Sequence, residues 1–215
     1  MKKGNLSKKE ELLTTLNTLK KSHLKTRIDK RILEFKHIDK TSNDAIFQEL
    51  CFCILTANYT AEKTIEIQKN IGTCFLNPSQ QTVSLKLKEC GYRFPNIRAE
   101  YICSSVHHKQ NLSEILSSYT GEKLREWFVT HIKGLGYKES SHFLRNIGFD
   151  DYAIIDFHIV DLLVNFNYIS RPKTMTKKTY ITIENILRSI AEQTGLTLGE
   201  LDLYLWYIET GKILK

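Results

Sequence analysis

A chain of 215 residues is long enough to bury a real core, and it fits one large domain or two small helical lobes sharing an interface. Its 31 lysines and arginines outnumber 24 acidic residues, and the net charge of +7 leans towards a polyanionic partner, although many basic proteins bind no nucleic acid. No apolar run is long enough to cross a bilayer, and Met1-Lys2-Lys3-Gly4 precedes no apolar core of signal-peptide length, so no membrane association is expected and a soluble, cytoplasmic protein is.

The basic N-terminal segment is expected to fray, and Ser7 with Glu10 then forms a capping-box signature that opens a first helix carrying Leu12, Leu13, Leu16 and Leu19. From Ala45 to Leu55 nearly every side chain is apolar, which predicts a central helix buried on all sides. Thr56 to Ala61 interrupts that run as a tight turn, and another helix follows over about 61–71. Gly91 to Asn96 makes a second turn, rich in aromatic and basic groups, and the three prolines, Pro78, Pro95 and Pro172, all fall in expected connections. Near the end, Leu198, Leu201, Leu205 and Ile208 mark an amphipathic helix that Gly211 stops. No strand alternation or repeat stands out, and an all-α fold is predicted.

Cys51, Cys53, Cys74, Cys90 and Cys103 are an odd set confined to the first half, expected as free, buried thiols in a reducing compartment. Neither their spacing nor that of the histidines suits a metal site, so no structural metal and no cofactor are predicted.

The informative stretch runs from His131 to Gly148. A helix ending at Lys133, a Gly134-Leu135-Gly136 turn and a second helix from about Tyr137 make a short hairpin, with Leu135 turned inward. Such a turn points backbone N–H groups outward at the positive end of the next helix, a ready site for a DNA phosphate. For a lone Gly-x-Gly a plain interhelix turn is the commoner reading, and its neighbours are what change that. Lys138 falls in the first turn of the second helix, where the dipole disfavours added positive charge. A free lysine has a pKa of about 10.4, so a nucleophilic one needs burial or an unfavourable electrostatic site, and this position is expected to lower the pKa of Lys138. Eighteen residues on, Asp156 precedes an amphipathic run as a good N-cap. A capping carboxylate stays ionised, so it can also face positive charge growing on a sugar ring.

The hairpin, Lys138 and the segment Ile154-Ile155-Asp156-Phe157-His158 resemble the helix-hairpin-helix DNA glycosylase superfamily. Within it the chain looks most like the type 2 family of 8-oxoguanine DNA glycosylase/AP lyases. That likeness rests on Phe52-Cys53-Ile54-Leu55-Thr56-Ala57-Asn58, on Gly91-Tyr92-Arg93-Phe94, on Lys133 through Arg145, and on the ending from Trp206 to Lys215.

The resemblance implies two helical lobes with the active site between them, the whole of 1–215 forming one glycosylase unit and the hairpin motif spanning about 125–148. It implies that Lys138 attacks C1′ of a flipped-out nucleotide, displaces the base and forms a Schiff base that permits β-elimination, with Asp156 stabilising the oxocarbenium-like charge. Lys133, Gly134, Gly136, Tyr137 and His158 become backbone-binding residues. Phe94 and Trp206 become the faces of an aromatic sandwich around the base, and Lys215, whose terminal carboxylate is expected to accept from the purine edge, supplies polar selectivity. Asn58 would fill the gap left by the flipped base, and Arg93 would touch the orphaned partner base or a phosphate; His107 and His108 are expected as solvated surface groups. The implied partner is double-stranded DNA containing oxidised guanine, and a monomer, nucleoid-associated in a prokaryote, is expected.

Two rivals fit parts of the same pattern. A glycosylase for oxidised pyrimidines shares the lysine and aspartate but usually carries an iron–sulfur cluster after the aspartate, where this chain has no cysteine. A non-catalytic helix-hairpin-helix module needs only the glycines and basic surface, and leaves the pairing of Lys138 with Asp156 unexplained.

Overall fold

The computed structural model describes residues 7–215, so the expectations placed on the first six residues lie outside the described residues. Among the described residues the regular structure is helical throughout. The chain divides into two compact units, one made of 7–34 with 149–213 and the other of 35–148 with 214–215.

The first unit holds α1 (Lys8–Leu19), most of α2 (Leu24–Lys36), α10 (Phe157–Asn165), α11 (Lys177–Thr194) and α12 (Leu198–Thr210). Helix α1 opens on the expected box, with Ser7 Oγ accepting from the Glu10 amide and Glu10 accepting in return from the Ser7 amide. Thr197 and Glu200 repeat the arrangement at α12, which ends at left-handed Gly211 as the sequence predicts. Helix α11 packs against α1 and α12, and α12 against α10, around Leu16, Ile28, Leu163, Ile190, Leu201 and Leu205.

One irregular segment of this unit is tightly held. Residues 152–155 are buried without helical hydrogen bonds of their own, and α11 satisfies them. Tyr180 Oη donates to the Ala153 carbonyl at 2.7 Å and accepts from the Ile155 amide at 3.2 Å, while buried Glu184 accepts from the Ala153 amide at 3.0 Å. Arg188 pairs with Asp151 and also donates to its carbonyl. The strap therefore delivers Asp156 to the start of α10 from a rigid support.

The second unit is built on α3 (Asn43–Thr56), whose residues from Ile46 to Thr56 are buried apart from Gln48. Around it lie α4 (Ala61–Ile71), α6 (Pro95–Ser105), α7 (Leu112–Ser118) and α9 (Tyr137–Asn146); α5 (Gln80–Glu89) pairs with α6, and α8 (Gly121–His131) with α9. Pro95 lies at the first position of α6 and not in a connection, a place where its missing N–H costs no hydrogen bond.

Five free thiols are present, but only Cys51 and Cys53 are buried as expected; Cys74, Cys90 and Cys103 are half-buried. Cys74 lies in the 3₁₀ turn Gly72–Phe75 and Cys90 caps α5, positions that reach the surface. Burial pushes the thiols of Cys51 and Cys53 well above the usual range, which keeps them unreactive.

Helices α8 and α9 are joined by a buried arginine. The side chain of Arg125 is 1 % exposed; it donates to Ser141 Oγ at 3.2 Å, pairs with Glu122 and lies over the Tyr137 ring at 5.2 Å. Arg125→Met keeps the volume and removes those bonds, so it is expected to lower the unfolding free energy by about 1–3 kcal/mol. The midpoint and slope of urea unfolding measure this, with the slope expected to stay unchanged.

Candidate active site

The hairpin forms where it is predicted, with a shorter first arm. Helix α8 ends at His131, Ile132 caps it, and Lys133 lies past its end with its side chain 65 % exposed and facing Glu100 at 3.3 Å. Leu135 is buried and its amide donates to the Ile132 carbonyl at 3.2 Å, closing the turn. Of the two glycines only Gly134 occupies the left-handed region, at φ +87. A Cβ there would stand 2.5 Å from the Tyr101 ring and 3.2 Å from the Arg98 guanidinium, so close packing on α6 also requires glycine. Gly136 is extended and serves as the N-cap of α9.

Lys138 is therefore the second residue of α9, half-buried, with Nζ 3.6 Å from Glu139 Oε1. Tyr137, one residue earlier, donates to Glu126 at 3.1 Å and so ties the start of α9 back to α8. Arg98 also works on the far side of the hairpin: it is buried on α6 and donates to the Ala57 carbonyl at 2.8 Å. Tyr92 donates to the Leu55 carbonyl at 2.6 Å, and burial pushes its phenol up to about 12. These two side chains satisfy carbonyls at the end of α3 that the helix itself leaves open. They fix the turn carrying Asn58, which is exposed and left-handed at φ 60. Arg93 and Phe94 are exposed beside it in sequence to Tyr92, the guanidinium lying 4.9 Å from the Phe94 ring centre.

Beyond Lys138, α9 is buried from Ser140 to Asn146 although its sequence is largely polar. Asn146 Nδ2 donates to buried Glu49 Oε1 of α3 at 2.7 Å, and the Arg145 guanidinium lies 4.5 Å from the Phe35 ring centre. His142 is 6 % exposed, edge-on to Phe52 at 5.9 Å, and neither ring nitrogen meets a partner at hydrogen-bond geometry among the described residues. Lys215 completes the group: Nζ lies 2.6 Å from Glu49 Oε2, donates to Gln68 Oε1 at 2.9 Å and stands 4.5 Å from the Phe52 ring centre.

In the other unit, Asp156 is the N-cap of α10, with Oδ1 accepting from the Ile159 amide at 3.0 Å, as its sequence position predicts. His158 packs edge-on against Trp206 at 5.2 Å and faces Glu209 at 3.7 Å, so its ring is engaged on α12. Trp206 is half-buried, and its indole Nε1 is shielded without a partner among the described residues. Lys138, Gly134, Asn58, Arg93, Phe94 and Lys215 thus belong to one unit, and Asp156, His158 and Trp206 to the other.

Sequence reasoning passed over Glu49, Arg98, Arg125 and His142. The signal for Glu49 was available, because a lone carboxylate inside an all-round buried helix needs a partner. His108 is another departure: it is half-buried, its ring tilted against His107 at 3.8 Å and edge-on to Trp127 at 5.1 Å.

A Gly134-pinned hairpin, a lysine in the first turn behind it and a carboxylate capping a later helix define the helix-hairpin-helix DNA glycosylase class. The family model described as 8-oxoguanine DNA glycosylase matches residues 28–196, and the chain belongs to that family. A Methanocaldococcus jannaschii protein named 8-oxoguanine DNA glycosylase/AP lyase is 53% identical over 206 residues, covering 95% of this chain and 99% of its own length. One of the same name from Korarchaeum cryptofilum is 45% identical, covering 96% and 99%. The crystal structure of the M. jannaschii glycosylase/lyase in complex with a 15mer DNA containing 8-oxoguanine is similar at a TM-score of 0.91 and 52% identity, covering 95% of this chain and all of that one. The Thermotoga maritima 8-oxoguanine DNA glycosylase gives 0.89 at 39% identity, covering 96% and 100%.

Burial holds the pKa of His142 well below its ordinary 6.5, and the cations Arg145 and Lys138 push it the same way; the Lys215 backbone opposes them only weakly. The unfolded chain takes up a proton on this imidazole below about pH 6.5 while the folded chain does not. Stability is thus lost as pH falls from there towards the folded pKa, by at most about 1.4 kcal/mol per pH unit. Urea midpoints at pH 7.5 and 5.0 should differ less in His142→Gln than in the unaltered protein.

Proposed function

We propose that this chain is a base-excision repair enzyme that removes 8-oxoguanine from double-stranded DNA with Lys138 and then cuts the strand as an AP lyase. The observation that carries the proposal is the placing of Lys138, half-buried in the first turn of α9, directly behind the hairpin that Gly134 pins. Family membership, and relatives whose names give both activities, support it.

The hairpin, with the capping amides of α9, grips a phosphate through Gly134, Gly136 and Tyr137, and the exposed Lys133 adds charge attraction. The damaged nucleotide leaves the stack, since its glycosidic carbon is closed to attack within the duplex. The neutral amine of Lys138 forms a bond to C1′ as the C1′–N9 bond breaks and the purine leaves with its electron pair. Positive charge on the sugar faces Asp156, whose second oxygen is not used by the cap bond to Ile159. Ring opening at O4′ gives a protonated Schiff base on Lys138. Loss of a C2′ proton then expels the 3′ phosphate, and hydrolysis frees the lysine.

Phe94 and Trp206 serve as stacking faces for the extruded base, Lys215 supplies polar contact to it, and His158 adds to the backbone grip. Asn58 fills the vacated place in the duplex, with Arg93 at the partner base or a phosphate. The enzyme works as a cytoplasmic monomer. An enzyme for another oxidised base would share the lysine chemistry and differ in the base contacts. A binding module without chemistry predicts that Lys138 substitutions merely weaken DNA binding.

With borohydride and a duplex bearing one 8-oxoguanine opposite cytosine, the unaltered chain should give a covalent adduct that an undamaged duplex does not. Lys138→Gln should give none and cut nothing while still binding the duplex, and Asp156→Asn should slow cleavage by about 10²-fold. Equal binding by both proteins with neither adduct nor cleavage from the unaltered chain would sink the lyase chemistry. Gly134→Val should weaken binding to damaged and undamaged duplexes alike, by about tenfold, in a fluorescence-anisotropy titration.

A further inference from the structure

We infer that Glu49 is a positioning residue for substrate selection: with Gln68 and Asn146 it clamps the ammonium of Lys215 and so fixes how that residue meets the damaged base. The inference rests on the proposed base-binding role of Lys215 and adds the device that makes the role possible.

The Glu49 side chain is 3 % exposed, in the buried and mostly apolar part of α3. Burying a carboxylate there is costly unless both oxygens are satisfied. They are: Oε1 accepts from Asn146 Nδ2 at 2.7 Å, and Oε2 meets Lys215 Nζ at 2.6 Å. The lysine is equally committed. Its Nζ donates to Gln68 Oε1 at 2.9 Å and lies over the Phe52 ring at 4.5 Å, and Gln68 is itself held because its Nε2 donates to the Gln48 carbonyl at 3.2 Å. Helices α3 and α4 thus meet the ammonium directly, and α9 holds Glu49 in place for it through Asn146.

An exposed lysine with four rotatable bonds would be a poor device for telling 8-oxoguanine from guanine, since its position would be unspecified. Held by two oxygens and an aromatic face, its charge is satisfied inside the protein, and Lys215 is left to present its main-chain polar atoms to the base. The clamp shares α9 with Lys138, so base contact and nucleophile stand on the same helix-borne frame. Geometry held this closely matters, because a displacement of about 1 Å can cost about 10²-fold in rate.

The test separates base selection from sugar chemistry. Under single-turnover conditions, excision from an 8-oxoguanine duplex is compared with cleavage of a duplex carrying a ready-made abasic site, which has no base to contact. Glu49→Gln leaves the Lys215 ammonium without its counter-charge and should lower excision about tenfold more than it lowers abasic cleavage. Gln68→Met, at a half-buried position that tolerates the change, should shift the ratio the same way by about threefold, and it decides the matter if Glu49→Gln does not fold. Lys215→Met should lower the ratio too, and the double variant E49Q/K215M should be no worse than Lys215→Met alone. If Lys215→Met lowers the ratio while Glu49→Gln and Gln68→Met leave it untouched, the clamp is wrong and the base contact stands. If none of the three moves it, the role of Lys215 fails first. Equal losses on both substrates would make Glu49 a structural residue and overturn the inference.

Discussion

Helix α9 is buried from Ser140 to Asn146, and only Phe143 and Leu144 in that span are apolar. A helix enclosed on all sides is ordinarily apolar, because each polar side chain taken from water must find a partner or raise the energy of the folded state. Much of the surrounding unit is arranged to provide such partners. Arg125 comes from α8 to Ser141, Glu49 from α3 to Asn146, and the Phe35 ring lies under Arg145. The helix carrying Lys138 is thus fixed in position by directional bonds as well as by packing. A purely apolar helix could slide or rotate by a fraction of a turn at little cost, whereas one tied by hydrogen bonds of fixed geometry cannot.

The same constraint accounts for the hairpin. With α9 held along its length, its first turn must begin at a fixed point, and the chain has four residues after Ile132 in which to return from α8. Gly134 supplies the one left-handed residue that makes this possible, and its hydrogen in place of a Cβ lets Tyr101 and Arg98 approach. Arg98 also donates to Ala57 at the end of α3, so the hairpin and the Asn58 turn share a buried support. Asp156 is placed on the same principle by other means. Its preceding strap is held by Tyr180 and Glu184, and its carboxylate is oriented by the Ile159 amide. In both cases a side chain with a proposed role in the reaction stands at a helix N-terminus whose position is set by buried polar bonds one or more residues away.

Local physics of this kind is written in the sequence wherever one residue suffices. Ser7 with Glu10, Asp156 before an amphipathic run and Gly211 after one are short-range signals, and each forms the structure its spacing predicts. The helix over Ala61–Ile71 was legible for the same reason. The end of α8 was not, because His131 to Lys133 could extend a helix as easily as leave it, and the decision falls to Leu135, which turns inward and draws Ile132 into a closing bond. Pairings between distant residues were illegible in principle. Nothing in the neighbourhood of Glu49 points to Asn146, 97 residues on, or to Lys215, and Arg98 gives no local sign that it meets Ala57. Those side chains could only be flagged as polar residues in apolar surroundings, with their partners unnamed.

The charges gathered around α9 explain why this frame is polar at all. Lys138, Arg145 and Lys215 all act on buried His142 and Cys53, and Glu49 is the carboxylate set among them. An apolar replacement of the whole cluster would be as stable or more so, since buried ion pairs seldom repay their desolvation. What it could not supply is the cationic frame that the proposed reaction uses, with one of its members, Lys138, half-exposed at a helix N-terminus. Placing cations near a developing anion or a phosphate is favourable only where the protein has already oriented them before the substrate arrives, because reorientation during reaction would consume the gain. Glu49, itself held by Asn146, engages Lys215 in advance at 2.6 Å, whereas Lys138 Nζ stands 3.6 Å from its own carboxylate, Glu139, so in the proposed reaction the Lys138 amine is the one less tightly held.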